Sequence, residues 1–303
     1  MSRIRIPAAR IVNGRRLKAN LPDDYNELAA RADATIRELT QAYPRTAHLY
    51  KLLLNNPRLD AHWNMANYTT VGRLGYNDHG PIHAQVTASY AMQIMALLFE
   101  ADVPFDVIQS GTGDRDDALL VTLAGIMMHD IGNSTHRLQH EHIGIILARP
   151  LLERMLPEIY PDLEQLTLVE NFVLSAIQCH DINPPPLFME AAVVAVADGC
   201  DMTKGRARMP FDLGKIDIHA VSALSIEQVN IRPGKSMPVE IEVQMSTEAG
   251  IFQVEETLVR KLNATPLKQH VTVRANVVAL PDGIVHRIIT SVELHNGKLR
   301  PVG

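Results

Sequence analysis

The run DDALLVTLAGIMMHDIG (116–132) ends on a histidine and an aspartate, and that ending constrains the chain more than anything else in it. On a helix advancing ~100° per residue, Asp130 lies within about 20° of Leu119 and Leu123 and about 40° of Ile126, on the stripe that must face a core. A carboxylate there needs a partner, because burial alone would neutralise it. A divalent cation shared with an adjacent imidazole is such a partner.

Asp198 repeats the pattern. In MEAAVVAVADGCDMT (189–203) it shares the azimuth of Ala191, Val194 and Ala195 in an otherwise apolar helix. Two inward carboxylates on separate helices could converge on one ion. Imidazoles at helix ends can supply the remaining ligands. His83 opens a helix after Gly80-Pro81, His140 lies one turn before Gly144, and His180 closes AIQCH (176–180). Seven of the thirteen histidines (79, 83, 129, 136, 140, 142 and 180) fall within this stretch.

Around this cluster the pattern is helical. An amphipathic helix is expected over 23–43, capped by Asp23 or Asp24, and Asn55-Asn56-Pro57 interrupts the next helical stretch. Helical blocks follow at 83–100, 116–131, 140–156, 163–180 and 188–203. After Gly214 the period changes. IEQVNI (226–231) and VEIEVQM (239–245) flank an Arg232-Pro233-Gly234-Lys235 turn. VTVRANVVA (271–279) and IVHRIITSVEL (284–294) flank Pro281-Asp282-Gly283, and an amphipathic helix spans 249–264 between the pairs. The fold class read from this is mainly α, a helical bundle followed by a small C-terminal α+β module of order ββαββ. Ferredoxin-like sandwiches and other small α+β folds fit that order. The divisions are 1–75 (an N-terminal arm and helices packing on the core), 76–215 (the metal-binding helical domain) and 216–303.

Composition excludes several classes. A net charge of −5 provides no basic surface for nucleic acid, although Arg3, Arg5, Arg10, Arg15, Arg16 and Lys18 make the N-terminal arm locally positive. Cys179 and Cys200 are too few for a disulfide framework or a cysteine zinc site, which points to a reducing compartment. Neither a bilayer-spanning run of ~18–20 apolar residues nor a signal-peptide core is evident, so a cytoplasmic protein is expected.

The order His83, His129-Asp130, His140, His180, Asp198 resembles the HD-domain superfamily of metal-dependent phosphohydrolases. MMHDIG (127–132) is similar to its doublet motif, HEHIG (140–144) to its histidine four residues before a glycine, and VAVADGCDMTKGR (194–206) to its closing aspartate segment. The resemblance covers roughly 76–208. It implies an HD-domain bundle in which His83, His129, Asp130 and Asp198 hold a first metal and Asp130 bridges to a second held by His140 and His180, as in the HD-GYP branch. That branch's Gly-Tyr-Pro signature is replaced here by HDINPPP (180–186), so a cyclic-dinucleotide substrate does not carry over.

The implied activity is hydrolysis of a phosphoester in a nucleotide or other small phosphorylated molecule by a metal-activated water, with Asp130 central. In YNDHGPIHA (76–84), His83 is taken as a ligand and His79 as a catalytic neighbour that supports it or orients water. One or two divalent ions among Mn, Fe, Zn, Co, Ni and Mg suit such ligands. Two other readings of the resemblance are a di-iron oxygenase and a non-catalytic nucleotide-sensing module.

Asp181 and Asp201 are read either as acceptors for metal-bound imidazoles or as solvated helix-end residues. Lys204, Arg206 and Arg208 are read as a substrate phosphate clamp or as a basic helix end facing the dipole. Ser110 to Asp114 is read as a turn and N-cap. The exposed edges of the C-terminal sheet suggest a homodimer.

Overall fold

The computed structural model describes residues 10–12, 15–18, 23–204, 218–278 and 289–302. Arg3, Arg5, Arg206, Arg208 and the Pro281-Asp282-Gly283 turn lie outside the described residues.

Strands β1 (Arg10–Val12) and β2 (Arg15–Lys18) form a hairpin ahead of a helical body. That body comprises α1 (Asp23–Thr40), α2 (Pro44–Leu54), α3 (Pro57–Leu74), α4 (Pro81–Glu100), short α5 (Asp106–Gln109), α6 (Arg115–Met128), α7 (His140–Met155), α8 (Leu163–Cys179) and α9 (Met189–Cys200). The boundaries follow local chemistry. Asn56 caps α3 by accepting from the Arg58 and Leu59 amides, and Asp114 closes a capping box with Asp117 at the start of α6. Helix α6 is buried from Asp116 to Met128, on every face, and serves as the bundle's central rod. It ends at Met128, earlier than the expected 131, so Asp130 stands in a turn beyond the helix. Trp63 donates its indole N–H to the orphan Met127 carbonyl at 3.0 Å and fixes that end.

Helix α4 corrects the expectation that no segment is long and apolar enough to span a bilayer. Its 20 residues pass by length and hydropathy, yet 72% of the window is buried inside the protein. It is a core helix, packed against α1, α6 and α9.

After α10 (Ile218–Leu224), β3 (Ile226–Pro233) and β4 (Val239–Met245) pair antiparallel. A helical segment α11 spans 250–263, with Val254–Val259 in π geometry. It leads to β5 (Val271–Val277), which pairs parallel to β4. Strands β6 (Ser291–His295) and β7 (Lys298–Pro301) complete a mixed five-stranded sheet in the order β3-β4-β5-β6-β7. The order is therefore ββαβββ instead of ββαββ. In-register rows Val239, Ile241, Val243 and Met245 on β4 and Val271, Val273, Ala275 and Val277 on β5 are buried, as are Val254, Leu258 and Leu262 of α11.

Helix α11 also joins the two parts of the molecule. A Cβ at Gly199 of α9 would meet the Thr257 carbonyl at 3.0 Å and the Leu258 Cα at 3.4 Å, so a larger residue would have to push this approach apart by a few tenths of an ångström.

A buried carboxyl at the other end of α9 has a measurable consequence. Glu190 accepts from the Val107 amide at 2.9 Å, its second oxygen has no hydrogen-bond partner, and burial pushes its pKa up to about 7. Because the folded value exceeds the ordinary 4.5, the native state binds the extra proton, and stability falls as pH rises from about 4.5 through 7. Glu190→Gln keeps the acceptor and removes the charge. It should stabilise the protein by up to about 3 kcal/mol at pH 8 and by little at pH 4. Urea denaturation at the two pH values checks this, and an equal effect at both would refute it.

Candidate metal centre

Helix ends bring the candidate ligands together. His83 sits in the first turn of α4, where Asp78 accepts from the His83 amide at 2.8 Å and the Gly80 amide at 3.3 Å. Asn67 donates to Asp78 and accepts from the His79 amide at 2.8 Å, which fixes the irregular approach to α4. His129 caps the C-terminus of α6 and His180 that of α8, while His140 opens α7. Asp198 lies in the last turn of α9. Asp130 is held in its turn by the Asn133 amide group at 2.8 Å.

The hydrogen bonds establish which imidazole nitrogen faces inward. Nδ1 of His129 lies 2.6 Å from the Ile126 carbonyl, that of His180 2.7 Å from Ile177 O, and that of His140 3.1 Å from Arg137 O. Carbonyls only accept, so these Nδ1 atoms donate. His83 Nδ1 pairs with Asp201 Oδ2 at 2.7 Å, and the Tyr25 hydroxyl donates to the same oxygen at 2.8 Å. All four Nε2 lone pairs are thereby turned inward, in the arrangement that orients metal-binding histidines.

These nitrogens meet two carboxylates. His83 Nε2 lies 3.1 Å from His129 Nε2, 3.3 Å from Asp130 Oδ2 and 3.1 Å from Asp198 Oδ1. His129 Nε2 is 3.2 Å from Asp130 Oδ2 and 3.5 Å from Asp198 Oδ1. On the other side of Asp130, Oδ1 is 3.3 Å from His140 Nε2 and 3.8 Å from His180 Nε2, and those nitrogens are 3.1 Å apart. Ligands ~2.1 Å from one ion stand about 3.0–3.4 Å apart at octahedral or tetrahedral angles, so the spacing suits a coordination shell. Acceptors packed this closely repel one another unless a cation lies between them. The chain therefore builds a buried cluster that could hold a metal ion, in which Asp130 groups with His83 and His129 on one side and with His140 and His180 on the other.

The electrostatics agree. Burial alone would depress His129, yet the Asp130 and Asp198 carboxylates outweigh it and hold its pKa up to about 9. One proton on His129 then does part of a cation's work, and an arriving metal would displace it. Burial opposes ionisation of Asp130, but the neighbouring His129 charge keeps it well below the usual carboxylate range. Burial and the neighbouring His129 and His140 drive His180 well below its ordinary value, leaving it neutral.

A cavity of about 210 Å³ opens beside the cluster, bordered by Asp130, His180 and Asp198 and by His79, Arg137 and Asp201. His79 stands in its wall with Nδ1 2.7 Å from the Asn77 carbonyl and is not among the grouped ligands. Arg137 reaches His140 Nε2 at 3.0 Å and Asp130 Oδ1 at 3.9 Å. Asp201 is the acceptor of one reading. Asp181 is not, because His180 donates to Ile177 instead. Lys204 corrects the phosphate-clamp expectation. It pairs with Glu227 of β3 and borders a separate cavity among α1, α4 and β3.

Lys261 of α11 is among the site residues that the sequence does not single out. Burial disfavours the Asp198 carboxylate, but the Lys261 ammonium pairs with it and holds it well below the usual range. Lys261 also donates to the His180 carbonyl at 3.0 Å. A signal was present: on ideal helical geometry Lys261 lies about 20° from the buried Val254, the criterion that singled out Asp130.

Fold and site together define a mainly helical protein with a buried histidine and aspartate cluster able to hold a metal ion. The chain belongs to the family of the uncharacterized protein MJ1020 of Methanocaldococcus jannaschii. It is 40% identical to that protein over 245 residues, which make up 81% of this chain and 94% of the relative. No family model matches the chain, and no solved structure does.

Proposed function

We propose that the protein is a metal-dependent phosphohydrolase of the HD-domain type, acting on a small phosphorylated molecule through a binuclear centre. The observation that carries this reading is the division of Asp130, with Oδ2 facing His83 and His129 and Oδ1 facing His140 and His180. His83, His129, Asp130 and Asp198 would hold one ion, and Asp130, His140 and His180 the other. Bound divalent ions supply a water of lowered pKa and positive charge for the phosphate oxygens. Arg137, in the cavity wall, adds a planar donor pair that suits phosphate.

His79, in the cavity wall with Nδ1 2.7 Å from the Asn77 carbonyl, would accept a proton of the attacking water. The water oxygen forms the new bond to phosphorus and the ester P–O bond breaks. The departing alkoxide takes up a proton from solvent, balancing the one His79 received. His79→Ala should lower kcat about 10²-fold and leave metal content unchanged.

The test is elemental analysis of the purified protein, coupled to a screen of phosphomonoesters, nucleotides and cyclic dinucleotides with Mn²⁺ added. Turnover of a phosphoester that chelation abolishes and Mn²⁺ restores is the expected result. Metal bound at full stoichiometry with no phosphoester turned over would refute the assignment.

A further inference from the structure

The C-terminal domain forms one wall of the cavity beside the metal cluster. Gln253, Glu256, Thr257, Arg260 and Lys261 of α11 border it, as does Arg137. The placement is built in. Gly199, next to Asp198, permits backbone contact between α9 and α11, and Lys261 crosses the junction to bind Asp198 and the His180 carbonyl. Glu256 and Thr257 lie in the π segment, a distortion that recurs at functional sites because it re-aims side chains.

The bordering groups fall into two classes. Lys261 is 8% exposed and committed to protein acceptors, so it positions Asp198. Arg260 is exposed at the cavity and, among the described residues, pairs with no carboxylate, while Glu256 offers an anionic group beside it and Thr257, whose hydroxyl donates to the Gln253 carbonyl at 2.6 Å, offers an acceptor oxygen. A wall of guanidinium, carboxylate, amide and hydroxyl suits a ligand rich in hydroxyls and unsuited to apolar packing. The volume of about 210 Å³ falls below the ~300–1,000 Å³ of sites for drug-sized ligands.

Resting on the phosphohydrolase reading, we infer that α11 is the substrate-discriminating element and that the substrate class is a small polyhydroxylated phosphomonoester, on the scale of a sugar phosphate. Its phosphoryl group faces the metal cluster and Arg137, and its hydroxylated part lies against Glu256, Thr257 and Arg260. The second domain is thus part of the site.

The full chain loaded with Mn²⁺ is assayed on glycerol phosphate, a pentose phosphate, an aryl phosphate and a cyclic dinucleotide. The hydroxylated monoesters should be preferred in kcat/KM by at least about tenfold. Arg260→Ala should raise KM for the pentose phosphate about tenfold, with kcat within about twofold and metal content unchanged, as loss of one charge-assisted contact predicts. Preference for the aryl ester or the cyclic dinucleotide, or an unchanged KM in the variant, would overturn the inference. If no ester is turned over, the phosphohydrolase reading fails by itself. Calorimetric binding of the pentose phosphate then decides, with about tenfold weaker binding to Arg260→Ala supporting α11 as the recognition wall and equal binding overturning it.

Discussion

Asp130→Ala is expected to strip metal from both ligand groups at once and to reduce phosphoester hydrolysis by about 10³, the effect of losing several kcal/mol of metal-dependent stabilisation. Asp130 has this reach because it presents one oxygen to His83 and His129 and the other to His140 and His180. A separate readout guards against simple misfolding. Metal at 100 times its Kd adds about 2.7 kcal/mol to the stability of a protein that binds it only when folded. For a chain of this size that is a rise in Tm of about 4 °C on adding Mn²⁺. The wild-type protein should show the rise and Asp130→Ala should not, while both remain folded in chelator. A variant that still takes up metal at wild-type stoichiometry would remove Asp130 from the ligand set.

How the sequence disclosed this site is instructive about which signals survive folding. Asp130 and Asp198 were visible as carboxylates in runs that had to be buried, and burial of a charge is costly in any fold. Asp130 is buried although it lies in the turn after α6, and because α6 is buried all round, its helical stripe does not by itself account for that placement. Asp78 and Asn67 escaped notice because they act in the aperiodic approach to α4, where no repeat marks an inward side chain.

Alternation on β4 and β5 revealed strands but not their direction, because a parallel and an antiparallel pair read alike in a half-buried row. Strand β7, four residues long and largely exposed, carries too little alternation to declare itself. Lys261 met the test applied to Asp130. Its meaning depended on the docking of α11 against α9, which no local pattern encodes.

Gly132→Ala should be the most damaging substitution that leaves every ligand in place. A Cβ at Gly132 would overlap the His140 carbonyl and come 2.7 Å from the Gly144 nitrogen, both of them backbone atoms that no rotamer change can move. Gly144 is confined in turn, with its Cβ position 3.1 Å from Ile177 of α8 and 3.5 Å from the His129 carbonyl. The turn after α6 therefore lies directly on the start of α7, and this contact sets the 3.3 Å between Asp130 Oδ1 and His140 Nε2. The added methyl must push the two segments apart. Overpacking of this kind costs about 3 kcal/mol, the upper end of the usual range, because the obstacle is backbone. The separation falls between Asp130 and His140, carrying the α7 imidazole away from Asp130 and His180, whereas Asp130 stays beside His129, and His83, His129 and Asp198 are fixed from α4, α6 and α9. In Gly132→Ala the second metal should be lost before the first, with bound metal falling toward half and Tm dropping by about 5 °C. Metal titration followed by calorimetry or elemental analysis reads both numbers. Wild-type stability with full metal content would show that the turn yields, and that its seat on α7 does not set the geometry of the site.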